Sequence, residues 1–373
     1  MAKRVILAVA GAGKTYHICH EIDPTKRNLI LAFTHENIYN IQKELCDAHG
    51  CVPELTTVST FDSFVYHQLV LPYEPSIAEH FGCPNFVSCG ICTVDPPSQT
   101  IKNSKGKPVA NPLYKKKDRL AHYVTMRGQY YCATLSELVL QVKKNRESLI
   151  KRVAARLNMF YDCVLIDEFQ DFREYDYELI MALAKKLEDV VFVGDYHQHS
   201  VSATNNSGKP FKNKKVEVGY DDFVANIIKE GFSVDVSTLA KSRRCSIDVC
   251  NYVSQKLGIR IKSSGDHTGS VIWVDDAVSI LNNNQITKLV FQEAAKYSFQ
   301  ALNWSYSKGD TVDSACVILT DGLDNLDSEK FTPKEIKTST LNKLYVAMTR
   351  SRGDLYLMKA STFKAVKESY ITR

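Results

Sequence analysis

The chain has 373 residues, 44% apolar and 24% charged, which gives room for two or three compact domains and excludes disorder as the default. Its net charge of +5, from 47 basic and 42 acidic side chains, is too mild to identify a polyanionic partner by itself. No apolar stretch approaches the roughly 18 to 20 residues of a membrane span. Met1-Ala2-Lys3-Arg4 runs directly into a strand pattern, so no secretory leader and no membrane partner are expected and a cytoplasmic setting is. The 11 cysteines are scattered through apolar segments such as Asp162-Cys163-Val164-Leu165, and most read as reduced core thiols.

In chain order, Lys3 to Val9 reads as a buried strand, Lys14 to about Ile22 as a helix, and Leu29 to Phe33 as a strand. Glu36 to Ala48 reads as an amphipathic helix with Ile38, Ile41 and Leu45 on one face. Alternating strands and helices predict βαβ units around a parallel sheet. From Leu71 to about Gly128 prolines crowd the sequence, and an irregular insertion is expected. A helical stretch from Leu135 to about Leu157 leads back to an apolar strand, Cys163 to Ile166, then a helix, Tyr175 to Leu187, and a strand, Val190 to Val193. Ser202 to Gly219 reads as a polar loop, mobile or joining domains, and a second α/β domain follows from about Phe223 to Met358. Three basic clusters, Lys115 to Arg119, Lys143 to Arg156 and Lys209 to Lys215, read either as a polyanion footprint or as solvated surface.

The pattern G-x-x-x-x-G-K-[ST] fits Ala8 to Thr15 except that Ala8 replaces its first glycine. A loop of this kind between a strand and a helix turns its N–H groups around phosphate, here from Ala10, Gly11, Ala12 and Gly13. Lys14 then reaches the β and γ phosphates and Thr15 holds Mg²⁺. Further on, the apolar strand Val164-Leu165-Ile166 delivers Asp167 and Glu168 at its C-terminal edge, where ligands bind in open α/β sheets. Asp167 is expected to hold Mg²⁺ and Glu168 to deprotonate the attacking water. The competing reading is an acidic helix cap.

These residues resemble the UvrD/Rep-like family of superfamily 1 DNA helicases, in which Ala commonly replaces the first glycine of the phosphate loop. The likeness continues in order along the chain. Leu31 to Glu36 is similar to a strand end that contacts single-stranded DNA, Ser59 to Phe64 resembles the T-F-H-S segment, and Asp167 to Asp171 fits D-E-x-Q-D. Val193 to Gln198 resembles the third motif, Ser242-Arg243-Arg244-Cys245 sits where the family has N-Y-R-S, Ser305 to Asp310 resembles the fifth motif, and Leu344 to Arg352 the sixth. The resemblance implies ATP and Mg²⁺ as cofactors, Gln198 and Arg244 as γ-phosphate contacts, and Arg350 as the arginine finger. It implies Arg243 and Gly309 as further nucleotide contacts. Single-stranded DNA, or RNA, is the implied partner, contacted by Phe33, Thr34, His35, Thr60, Phe61, Phe64, Ser307 and Lys308. Each aromatic residue has core packing as its alternative.

The implied architecture is α/β, with two RecA-like P-loop NTPase domains, an ATP site in the cleft between them and a small accessory insertion. Residues 1–69 and 159–201 are expected to form the first domain, 70–158 the insertion, 202–219 a polar loop or linker, and 220–373 the second domain. The chain departs from the family where Arg243 replaces the adenine-stacking Tyr and Thr311 the acidic ribose contact. The family's Gln-containing adenine reader is not expected, because only Met1 to Leu7 precede the loop, and the stretch from Arg244 to Lys308 is too short for the large second accessory domain. Ser200-Val201-Ser202-Ala203 stands in place of the base-stacking segment after the third motif, and Phe211 is a candidate for that role. His80, Cys83, Cys89 and Cys92 have spacing that suits either zinc or ordinary thiols. The expected activity is ATP-dependent translocation on single-stranded DNA with 3′ to 5′ strand separation. The alternatives are a viral-type superfamily 1 RNA helicase and a nucleic-acid-binding ATP switch subunit working with a nuclease. A replication or repair protein is the other expected kind of partner.

Overall fold

The computed structural model describes residues 3–144, 147–199, 208–213, 216–305 and 311–372. A six-stranded parallel sheet is built from β1 (Lys3–Leu7), β2 (Asn28–Ala32), β3 (Thr56–Thr60), β4 (Cys163–Ile166), β5 (Val190–Gly194) and β6 (Ser233–Asp235), in the order β6-β1-β5-β4-β2-β3. Strand β2, Asn-Leu-Ile-Leu-Ala, is buried throughout, as a strand covered on both faces must be. Helix α1 (Lys14–Glu21) follows β1 through the glycine loop, and α2 (His35–His49) follows β2. Thr34 caps α2 by accepting from Asn37 N–H at 3.1 Å, and Gly50 ends it at φ 81°, where a side chain would be strained.

The insertion shares the first sheet's core. Tyr123, Tyr130, Leu135 and Leu138 pack in one apolar cluster with Phe61, Phe64, Phe169, Phe172 and Phe192. The helix expected from Leu135 to about Leu157 is two helices, α3 (Leu135–Gln141) and α4 (Leu149–Phe160). Val142 turns extended, Lys143–Lys144 pair with Glu147–Ser148, and the Ser148 hydroxyl caps α4 by accepting from Ile150 N–H at 3.3 Å. Helix α5 (Glu174–Ala184) then packs on α3 and leads to β5.

Residues expected to open the second unit return to the first. Helix α6 (Tyr220–Lys229) buries Phe223 and Ile227 in the first core, and β6 extends the sheet beyond β1. The physical reason is that the edge of β1 needs a partner and the amphipathic α6 needs an apolar floor. Within the polar loop, Phe211 is buried and stacks on His199 at 3.9 Å, so it offers no free face for a base in this structure.

The second sheet is also parallel and contains β7 (Val271–Trp273), β8 (Ile286–Val290), β9 (Ala301–Asn303), β10 (Ser314–Ile318) and β11 (Leu355–Met358), in the order β7-β11-β10-β8-β9. Helices α7 (Ile247–Leu257) and α8 (Thr338–Met348) cover it around the buried Trp304. Its core also takes in Ala10 of the glycine loop, so the two units meet at that loop. Both are parallel sheets flanked by helices, the α/β architecture expected of two RecA-like domains. Among the described residues no helix is long and apolar enough to cross a membrane.

Candidate nucleotide site between the two sheets

The glycine loop leaves β1 and re-enters α1 with Gly11 at φ 71° and Gly13 at φ 83°, the left-handed region that glycine occupies without strain. Thr15 and Lys14 thereby start α1 facing the ends of β4 and β5. The Thr15 hydroxyl donates to Asp167 Oδ2 at 2.7 Å, and Lys14 Nζ lies 3.4 Å from Glu168 Oε2. Burial works against the Lys14 charge, but Glu168, Asp195 and Asp167 outweigh it and hold its pKa above the ordinary lysine value. Burial, and then the negative charge of Glu168, push the Asp167 carboxyl above the usual aspartate range. A hydroxyl and a buried carboxylate held together, with negative charge in excess, are a donor set that suits a hard divalent cation.

Glu168 sits at φ 55°, rare for a residue with a side chain, where the chain turns off β4. The Gln170 amide donates to Glu168 Oε2, and its oxygen accepts from Asp195 N–H at 2.9 Å. Gly194 makes this approach possible, because a Cβ there would stand 2.7 Å from Gln170 Oε1. Asp195 in turn accepts from Gln198 Nε2 at 2.8 Å, and burial pushes its carboxyl up to about 6. Glu168, Gln170, Asp195 and Gln198 therefore form one continuous hydrogen-bonded set.

The second unit closes over the loop. Arg243 N–H donates to Gly11 O at 2.9 Å, and a Cβ on Gly11 would meet Arg244 Cβ at 2.6 Å. Arg244 is close enough to Lys14 to act on its charge, and its Nη1 donates to Thr349 O at 3.2 Å. Arg350 is buried just beyond the end of α8, with Nε donating back to Val346 O of that helix at 3.0 Å. Arg352 instead lines a cleft of about 600 Å³ together with Thr15, Glu36 and Thr311. Sequence reasoning missed three residues here. Arg352 was signalled only as the second arginine of Thr349-Arg350-Ser351-Arg352. Tyr345, whose hydroxyl accepts from Ala10 N–H at 2.8 Å, carried no signal beyond its motif. Tyr16 lies 5.6 Å from the Arg243 guanidinium and stacks on His20.

The residues expected to contact nucleic acid separate into three groups. Thr34, His35 and Thr60 stand together at the C-terminal edge, where β2 pairs with β3 and Ala32 lies opposite Thr60, and Thr34 and His35 are exposed. Phe61 and Phe64 are 1% and 2% exposed in the core, which corrects their reading as stacking faces; Phe33 is half-buried against Phe172 at 4.4 Å. Ser307, Lys308 and Gly309 lie outside the described residues. Among the described residues no group of three or more His, Cys, Asp or Glu side chains is arranged to hold a metal ion. His80 Nδ1 lies 3.2 Å from Lys143 O.

No curated protein matches the chain. Among solved structures it is similar to arterivirus nonstructural protein 10 (helicase) in a complex with DNA, at 12% identity and a TM-score of 0.45 over 95% of this chain and 60% of that one. It is also similar to arterivirus nonstructural protein 10 (helicase) crystallised in a second structure, at 13% identity and a TM-score of 0.46 over 95% and 59%, and to the PRRSV helicase, at 12% and 0.44 over 98% and 54%. The chain thus spans between about half and three fifths of the length of those structures. The sequence pattern of the AAA domain family matches residues 2–204. Matched over more than half of its length, the chain belongs to the AAA domain family.

Proposed function

We propose that the chain is an ATP-driven motor on single-stranded DNA, a superfamily 1 helicase of the UvrD/Rep-like kind that hydrolyses ATP to ADP and phosphate. The observation that carries this reading is the joint site: Lys14, Thr15, Asp167 and Glu168 meet at one sheet edge, while Ser242 to Arg244 of the second unit bonds to the same loop. A site split between two units closes and opens with nucleotide, and such a cycle can ratchet a strand.

In this reading the loop N–H groups and Lys14 bind the phosphates, and Thr15 with Asp167 holds Mg²⁺, which when bound neutralises phosphate charge. Glu168 takes the proton of the attacking water. Gln198 links the phosphate end of the site to Asp195, and Arg244 and Arg350 supply positive charge from the second unit. Arg243, beside Tyr16, offers the base a guanidinium plane in place of the stacking Tyr. Exposed Thr34 and His35, with Thr60 beside them, give a strand a path across the top of the first sheet.

Steady-state ATPase measured alone, with an oligodeoxynucleotide and with an oligoribonucleotide tests the proposal. Single strands are expected to stimulate turnover, with DNA the stronger, and Lys14→Ala to abolish it. Stimulation by RNA alone favours the RNA helicase alternative, and absence of stimulation by either overturns the motor reading. Unwinding of duplexes with a 3′ or a 5′ tail reads the 3′ to 5′ polarity that the family likeness implies.

A further inference from the structure

Helix α8 reaches across the cleft with two side chains one turn apart. The Tyr345 hydroxyl accepts from Ala10 N–H at 2.8 Å and lies 3.2 Å from Asp195 Oδ2, and Asn342 Nδ2 donates to His199 O at 3.1 Å. Tyr345 and Ala10 are fully buried and Asp195 is 1% exposed, so water does not compete for these bonds. Burial first, and the neighbouring Asp195 next, keep the hydroxyl protonated. Its single proton therefore goes to Asp195, and a lone pair receives Ala10 N–H. Asp195 continues through Gln170 to Glu168, as described above. One hydroxyl of the second unit thus joins the phosphate loop to the residues assigned to hydrolysis.

The N–H groups of a glycine loop are phosphate donors. A buried donor needs a partner at all times, since leaving one unmet costs free energy. In the present structure Tyr345 is that partner for Ala10. We propose that Tyr345 is a positioning residue that holds the Ala10 N–H, yields it to a nucleotide phosphate when one binds, and so transmits nucleotide occupancy to Asp195 and α8. This rests on the reading of Ala8 to Thr15 as an ATP site, and Tyr345 touches both the loop and Asp195 through its one hydroxyl.

The test is equilibrium binding of Mg²⁺–AMP-PNP to the full chain, together with KM and kcat for ATP. Tyr345→Phe keeps the ring and removes only the hydroxyl. With no hydroxyl to displace, and with Ala10 N–H left unmet in the empty state, binding is expected to tighten by about twofold to tenfold, the scale of one hydrogen bond. The KM for ATP is expected to fall while the DNA-stimulated kcat also falls, because Asp195 no longer hears the loop. Asn342→Ala, which loosens the same helix without touching Ala10, is expected to leave AMP-PNP affinity unchanged. Unchanged or weaker binding in Tyr345→Phe overturns the proposal, as does equal tightening in Asn342→Ala, which would assign the effect to general loosening. Tyr345→Met serves if the Phe variant does not fold. Failure of the ATP-site reading has a different signature: wild type that binds no AMP-PNP, or Lys14→Ala that binds it as wild type does.

Discussion

At the scale of single residues, the site places the Glu168 carboxyl and the Lys14 ammonium within reach of each other, and the surrounding carboxylates hold Lys14 charged. Glu168 lies 3.4 Å from Lys14 and is turned off its strand at φ 55°. If it deprotonates the attacking water, Glu168→Gln retains ATP but stalls hydrolysis, so single-turnover assays are expected to show bound, uncleaved nucleotide. Turnover equal to the parent would remove Glu168 from that role. Lys14, Thr15, Asp167 and Glu168 were legible because a loop between strand and helix, and a carboxylate pair at a strand end, are local patterns. Tyr345 and Arg352 were not, since the bond of Tyr345 to Ala10 and the place of Arg352 beside Thr15 exist only where the two units meet. Residue type also misled: Phe61 and Phe64 are as good for a core as for a base, and the chain used them for the core.

A second residue-scale prediction concerns Asp176, at the start of α5, which burial pushes up to about 6 although Ser136 hydrogen-bonds it. In the unfolded chain an aspartate titrates near 3.9, so the folded state binds the proton more tightly. The cost of charging Asp176 is therefore complete above about pH 6 and absent below about pH 4. Asp176→Asn is expected to raise unfolding free energy by about 2 kcal/mol near pH 8, and the gain should vanish as pH falls through that window. Denaturant titration at both pH values reads this directly, and a gain that persists at the acid end contradicts the assigned cause.

At the scale of elements, the pattern revealed the first strands and helices almost to their ends because the strands are short apolar runs and the helices bury one face each. It failed between Leu135 and Leu157, where an apolar Val142 continues the pattern while the backbone turns extended. It failed again at α6 and β6, because the sheet to which a strand adds is decided by an open edge and not by its own sequence. The loop glycines carry a similar distinction. Gly11 and Gly13 are both left-handed, but a Cβ on Gly11 would stand 2.6 Å from Arg244 Cβ and 2.8 Å from Ser242 Oγ, whereas on Gly13 the nearest atom is Tyr16 Cβ at 3.7 Å. Gly13→Ala therefore meets only the backbone cost, on the order of 1 to 2 kcal/mol. Gly11→Ala is expected to lose more and to separate the two units, seen as a larger drop in unfolding temperature and a greater radius of gyration. Equal losses in the two variants would mean that Ser242 to Arg244 does not rest on the loop in solution.

At the scale of the molecule, the two sheets share a site whose two halves differ in readiness. The first half is assembled: Thr15, Asp167, Glu168 and Gln198 are already bonded to one another or to shared partners. In the second half, Arg244 has reached the loop and Arg352 lines the cleft beside Thr15, while Arg350 is buried and bonded to Val346. If Arg350 is the arginine finger, nucleotide must break its bond to Val346 O and turn it into the cleft, so the charge that completes the transition state is withheld until the units close. Arg350→Ala is then expected to slow hydrolysis by about a thousandfold or more with little change in AMP-PNP affinity, the signature of a group that acts only in the transition state. Arg350→Lys should recover little, because the planar fork is lost. Arg352→Ala, removing a cation already facing the cleft, should mainly raise KM. The reverse pattern, a thousandfold loss in Arg352→Ala and near-normal turnover in a folded Arg350→Ala, would transfer the finger to Arg352, and closure would then need no rearrangement of the buried arginine.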